Sequence, residues 1–271
     1  MTTTKTTNDL TLPCENVVAL AGDWHGDSSW AGVAIPHVAR MTGARTILHA
    51  GDFGFWPPIR GAGVLGSVDY WCKRSGVERI LVTPGNHEHW ANLNSEFAKN
   101  PGGLARVSET VYMMPRGYRF SLGDRSFLSL GGAASLDAAD RVPLISWFAD
   151  EVATDAEVDQ AIAGGPVDVL LLHETINDGA PLVERIIRAN PMGWNEAELA
   201  YSASSRQKVT RLTEAVTPKI VVHGHIHVQD ETITAAGTRL YSLNCEDGTG
   251  NLASLDLVSG DWEWLGDPRR R

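Results

Sequence analysis

Eight side chains that can bind or activate something stand at the ends of short apolar runs. They are Asp23 and His25 after "NVVALAG", Asp52 after "RTILHAG", Asn86 and His87 after "RILVTPG", His173 after "VDVLLL", and His225 and His227 after "KIVVHG". Each has a bland reading by itself. An Asp after a strand is usually a turn or N-cap residue, and a lone buried His is more often hydrogen-bonded core than ligand. Turn chemistry does not, however, call for ligand-type side chains at five separate run ends. Imidazole and carboxylate without thiolate suit Zn, Fe, Mn, Ni or Cu rather than an iron–sulfur cluster. The group is too large for the four positions of a structural zinc. Two metals sharing one carboxylate would use it, and two metals about 3.5–4 Å apart are a common device for phosphoester chemistry.

Something must carry these side chains to one place. The first three runs alternate with helix-like stretches at about Ser28 to Met41, Gly63 to Ser75 and within "HEHWANLNSEFAKN". That alternation predicts crossover units and a mostly parallel sheet. Each of the three runs ends in Gly plus a polar residue: Gly22-Asp23, Gly51-Asp52 and Gly85-Asn86. Ligands of open α/β sheets bind beyond the carboxyl ends of the strands, so Asp23, Asp52 and Asn86 should gather at one edge. Asp27 is the expected cap of the helix that follows. "YRFSLGDRSFLSLGG" reads as a hairpin turning near Gly123-Asp124, and Glu231 to Trp264 alternates like a meander. The reading is one α/β domain over 15–265 with two sheets. Insertions at about 133–151 and 175–205 are expected to act as lids or specificity loops. Residues 1–14 are expected to be a disordered segment and 266–271 a solvated basic tail.

Composition narrows the class. A chain of 271 residues can bury roughly 75% of its unfolded surface, so it needs no disulfide staples. Its three cysteines, Cys14, Cys72 and Cys245, are scattered, which fits a reducing, cytoplasmic setting. The first residues show no apolar signal-peptide core, and no run approaches the ~18 apolar residues of a membrane span. A formal net charge of −10 disfavours long nucleic acid as a partner. It leaves room for a small anion, because a bound metal reverses the local field. The sequence is silent on oligomeric state.

The order "GDWHG … GD … GNHE … H … GHIH" over positions 22 to 227 resembles the calcineurin-like metallophosphoesterases. The resemblance implies a four-layer α/β/β/α fold, a two-sheet β-sandwich flanked by helices, with two transition metals (Mn, Fe, Zn or Ni) at the strand ends. Carried over, Asp23, His25, Asp52 and His227 would hold the first metal, with Asp52 bridging. Asn86, His173 and His225 would complete the second. His87 would face substrate as the catalytic histidine and not bind metal. Two such cations lower the pKa of a shared water, giving a bridging hydroxide to attack phosphorus.

The pattern departs from the protein phosphatase branch. There, the second motif continues into Asp-Arg-Gly and an Arg precedes the third motif's Gly. Here "FGFW" follows Asp52, and Pro84 precedes Gly85. Without arginines to grip a dianionic monoester, a phosphodiesterase of small diesters is favoured, cyclic nucleotides included (2′,3′-cyclic ones among them). A phosphomonoesterase or protein phosphatase, a nuclease and a non-enzymatic metal-binding scaffold are the alternatives. Arg141 in "SLDAADRVP" is the candidate replacement phosphate ligand, against a plain surface arginine. Trp24, Trp56 and Trp90 are candidates for a base-stacking rim, against ordinary packing. His49 and His89 are read as packed or ligand-orienting residues. Glu88 is read as an orienting carboxylate or a helix cap.

Overall fold

A computed structural model describes residues 15–57 and 63–270. The expected N-terminal segment 1–14 and the last residue of the tail lie outside the described residues. Alternation with period two builds the first sheet. In β1 (Val17–Ala21), Val18 and Leu20 point to one face and Ala19 and Ala21 to the other, all buried. β2 (Thr46–His49) and β3 (Arg79–Val82) lie parallel beside it, with Ala19 opposite Ile47 and Ile47 opposite Ile80. β4 (Ala105–Arg106) and β5 (Val111–Met113) extend this sheet on one side. β12 (Leu252–Asp256) and β13 (Trp262–Trp264) extend it on the other, giving the order β13-β12-β1-β2-β3-β5-β4.

The second sheet runs β10-β11-β9-β8-β7-β6. β6 (Tyr118–Leu122) and β7 (Arg125–Leu130) form the expected hairpin, turning at Gly123 with φ +57°. β8 (Val169–Leu172) and β9 (Ile220–His223) continue parallel to β7. β10 (Asp230–Ile233) and β11 (Arg239–Ser242) close the edge. The stretch 231–264 is therefore not one meander. It is two hairpins in different sheets, joined by a crossing at 243–251.

Leu20, Leu48 and Leu81 of the first sheet meet Phe127, Leu171 and Val222 of the second in a shared inner core. The outer face of the first sheet packs on α1 (Ser28–Thr42), α2 (Val64–Ser75) and α3 (Trp90–Lys99) through Trp30, Ile35, Val68, Cys72 and Leu93. The second sheet packs on α4 (Asp155–Ala163), α5 (Pro181–Ala189) and α6 (Glu196–Val216) through Val158, Val183, Val209 and Leu212. The result is the helix–sheet–sheet–helix layering that the motifs imply.

One of the two insertion expectations changes here. Residues 175–205 hold α5 and the first half of α6, the crossover between β8 and β9. Val183 is buried against the sheet, and α6 starts in a capping box from Asn195 and Glu198. This stretch is a structural layer and no loop over the site, because its apolar face covers Leu170, Leu172 and Val221. The stretch 133–151 does lie beside the strand ends. It has only two short 3₁₀ turns, at Ala138–Asp140 and Ala149–Glu151.

Candidate dinuclear metal centre

The parallel strands β1, β2, β3, β8 and β9 deliver their carboxyl ends to one edge, where all eight side chains of the opening pattern meet. The backbone there is strained. Asp23, His25, Asp52, His225 and His227 all have positive φ, between 42° and 74°. A non-glycine residue in that region costs of order 1 kcal/mol or more and persists only where the surroundings impose it. The turns impose it on each other: the Asp23 amide donates to Gly51 O at 2.8 Å, and the His25 amide to Asp52 O at 2.7 Å. Gly85 and Gly224 allow the crowding. A Cβ at Gly85 would collide with Asp52 Oδ1, and one at Gly224 with Asp23 Oδ2.

The ligand-type atoms fall into two groups, each within 4.8 Å: Asp23, His25, Asp52 and His227; and Asp52, His173 and His225. Asp52 belongs to both. Its Oδ2 lies 3.5 Å from His25 Nε2 and 3.2 Å from His173 Nε2. His227 Nε2 stands 3.3 Å from Asp23 Oδ1, and Asn86 Oδ1 stands 3.0 Å from His173 Nε2. The imidazoles are oriented from behind. His173 Nδ1 donates to Ala50 O at 2.7 Å, and His25 Nδ1 meets Glu246 Oε2 at 2.7 Å. Both arrangements turn Nε2 toward the carboxylates, a common support for metal-binding histidines.

Charge and hydrogen bonding both fit cations. Asp23 and Asp52 are buried, yet Asp23 Oδ2 and His225 Nε2 have no hydrogen-bond partner among the described residues. An unpartnered buried carboxylate oxygen is costly unless a cation meets it. Burial opposes charge on His25, His173 and His227, but the adjoining carboxylates reverse the effect. They lift His25 to about 11, His173 to about 9 and His227 to about 10. Burial would raise Asp52, but His173 and His87 hold it well below the usual carboxylate range. The site thus draws positive charge by its own field.

His87 is 30% exposed and stands at the rim of this cluster, its Nε2 3.9 Å from Asp52 Oδ2. Its amide donates to Asp52 Oδ1 at 2.8 Å, while its ring borders a cavity of about 530 Å³. Trp56, Pro57, Arg141, Leu144, Ile145 and Phe148 form much of the cavity wall. Arg141 reaches His87 Nδ1 at 2.7 Å and is braced by Asp137 at 2.8 Å and by Ser146 O at 3.1 Å. Trp56 donates to His87 O at 2.7 Å. Arg141 and Trp56 therefore share one wall with His87.

Trp24 and Trp90 do not belong to that wall. Each is 1% exposed. Trp24 donates to Asn251 Oδ1 at 3.1 Å and packs edge-on against His49. Trp90 donates to Gly85 O at 3.0 Å beneath the Arg116 guanidinium. Their rim reading is corrected to packing: each ring is used up in holding a turn. His49 is buried against Trp24 and Phe53. Asp27 caps α1 by accepting from Ser29 and Trp30. Glu88 does not cap α3. It accepts from Gly54 N and Gly85 N, tying two motif turns together, and His89 takes the cap.

Four contributors were not visible in the motifs. Glu246 arrives from the crossing between sheets and also donates its amide to Asp23 O at 2.9 Å. Asn251 accepts from Trp24 and Trp30 together. Ser135 accepts from Asn86 Nδ2 at 3.0 Å, and Glu151 accepts from Ser135. Burial pushes the Glu151 carboxyl up to about 7 against those hydrogen bonds. The only sequence signal for Glu246 is the polar "NCED" that follows the apolar "LYSL".

Residues 17–229 match the calcineurin-like phosphoesterase family, and the chain belongs to it. No curated protein matches the chain. Among solved structures, TT1561 of Thermus thermophilus superposes with a TM-score of 0.56 at 14% identity. That match covers 93% of this chain and 98% of the other. A dimetal phosphatase from Danio rerio superposes with a TM-score of 0.52 at 12% identity, covering 89% and 92%. At these identities the two structures show a common fold.

Proposed function

We propose that the chain is a phosphodiesterase that uses two metals to hydrolyse small phosphodiesters, cyclic nucleotides among them. Family membership supports metal-dependent phosphoester hydrolysis. The preference for diesters rests on one observation: Arg141 is the only cationic side chain among the described residues lining the cavity. One guanidinium matches the single negative charge of a diester better than the double charge of a monoester. None of the positions that departed from the protein phosphatase pattern supplies a cation, and Trp56 among them borders the cavity. Phe53 is buried against Trp24, and Pro84 O accepts from Gly132 N at 2.7 Å.

In this reading Asp23, His25, Asp52 and His227 hold one metal, and Asp52, Asn86, His173 and His225 hold the other. When bound, the pair neutralises phosphoryl charge and lowers the pKa of water at the site. Arg141 orients the phosphoryl group from the cavity side. Burial, opposed by Asp52 and reinforced by Arg141, lowers the pKa of His87. A neutral His87 still carries one N–H, which it gives as a hydrogen bond to a phosphoryl or leaving oxygen. Trp56, Leu144 and Phe148 offer an apolar wall for a base or aryl group.

The test is a panel assayed with Mn²⁺: bis(p-nitrophenyl) phosphate, p-nitrophenyl phosphate, 2′,3′- and 3′,5′-cyclic AMP, and single-stranded DNA. Diesters are expected to exceed the monoester by about tenfold or more in kcat/KM, near 1.4 kcal/mol of transition-state discrimination. A monoester preference would overturn the diester reading. Cleavage of DNA in preference to cyclic mononucleotides would make the chain a nuclease.

A further inference from the structure

The stretch 133–151 touches two consecutive residues of the third motif in different ways. Arg141 meets His87, on the cavity side. Ser135 meets Asn86, on the metal side. The stretch is pinned at its ends by half-buried Arg116, which donates to Gly131 O at 3.0 Å and to Glu151 O at 2.9 Å. The geometry points to Ser135 and Glu151 as positioning residues that fix which way the Asn86 amide faces, and through it the affinity of the second metal group.

A primary amide can present its oxygen or its NH₂ to the same neighbour by a half-turn of its terminal torsion. Only the oxygen binds a cation. Asn86 Oδ1 faces His173 Nε2 at 3.0 Å, and Asn86 Nδ2 faces Ser135 Oγ at 3.0 Å. A serine hydroxyl has one proton to give. That proton goes to Glu151 Oε2, 2.7 Å away. The carboxylate is held in place by the Ser135 amide at 2.7 Å and by Trp147 Nε1 at 3.0 Å on its other oxygen. Tyr201 of α6 adds a further hydrogen bond. With the Glu151 carboxyl ionised, Ser135 Oγ is left as an acceptor only. A flipped Asn86 would set its oxygen against those lone pairs and its NH₂ against the metal group. Ser135 and Glu151 are both fully buried, so water does not relieve the mismatch.

This inference rests on the dinuclear reading, and the experiment separates the two. Mn²⁺ binding to the full chain is followed by equilibrium dialysis, with metal counted per chain. Two ions on the unaltered protein uphold the dinuclear reading; one or none overturns that reading and the inference with it. Given two, Ser135→Ala and Glu151→Gln are each expected to weaken the second binding event about tenfold, the usual scale for residues that orient a metal ligand. Glu151→Gln keeps the side chain's volume but supplies an NH₂, which frees the serine proton to reach a flipped amide oxygen. Asn86→Asp then discriminates positioning from general damage. A carboxylate presents oxygen either way round, so Ser135→Ala is expected to cost no affinity in that background. An equal loss in both backgrounds, or unchanged affinity of both single variants, would overturn the positioning role.

Discussion

At the scale of single residues, the site is organised by what each ring or carboxylate does with its second polar atom. His173 gives its Nδ1 to a backbone carbonyl and His25 gives its Nδ1 to Glu246, so both turn Nε2 inward. His87 differs. Its backbone is tied to Asp52, but its ring borders the cavity and touches Arg141. His87→Ala should therefore keep both metals and lower kcat by roughly 10²–10⁴-fold. Asp52→Asn should lose metal and activity together. Metal counting beside turnover separates them; loss of metal from the His87 variant would show that it is a ligand after all. The ligand-type residues were legible in the sequence because each follows an apolar run, all but His173 through a glycine. The tryptophans were not. Trp24, Trp56 and Trp90 all lie beside motifs, and type and spacing do not say which ring is turned outward. That depends on partners such as Asn251, 227 positions from Trp24.

At the scale of elements, the parallel strands work as rails whose ends must stay in register. Asp168 holds one such register at the start of β8. It accepts from the Ser126 amide at 2.9 Å, the Ser126 hydroxyl at 2.8 Å and Lys219 at 2.9 Å, linking β7, β8 and β9. The Ser126 amide, then Lys219, depress its pKa to about 2. This stabilisation is present above the unfolded carboxyl's ordinary value near 4, and is lost as pH falls through about 2. Asp168→Asn should destabilise the chain by about 1 kcal/mol at neutral pH. The gap between the two proteins in urea unfolding should narrow between pH 4 and 2; a gap that stays constant there would deny the charge its part. The sequence showed the apolar runs of these strands, and hence their number and ends. It did not show that 175–205 is a helical layer. An amphipathic helix beside polar loop residues reads like an excursion until the sheet it covers is known.

At the scale of the whole molecule, the two sheets enclose one core and hold the candidate centre at their common edge. Strained turns, buried carboxylates and unpartnered ligand atoms all sit there, so cations bound at this cluster would stabilise the folded state. Metal present at a hundred times its dissociation constant stabilises the folded state by about 2.7 kcal/mol per site. For a chain of this size that corresponds to a rise in melting temperature of at least roughly 5 °C. Calorimetry before and after chelation, with Mn²⁺ returned to the chelated sample, measures it. An unchanged melting temperature would mean the cluster holds no cation in the folded state. Family and layer order were readable at this scale from the spacing of five motifs. The support from Glu246 was not, because it depends on where the chain changes sheets.

That change of sheets bears on how the protein comes into being. β1 leaves the ribosome long before its neighbour on one side, β12, and before Glu246, the carboxylate behind His25. Until Glu246 and β12 have been made, β1 keeps an open flank and the first metal group lacks its brace. Domains can begin to fold from the N-terminus during synthesis, but here the centre reaches its final form only after β12 has been made. An unfinished chain would expose the bare edge of β1, the kind of surface that seeks another strand. Arrival of the C-terminal hairpin covers that edge and completes the metal-holding geometry in the same event.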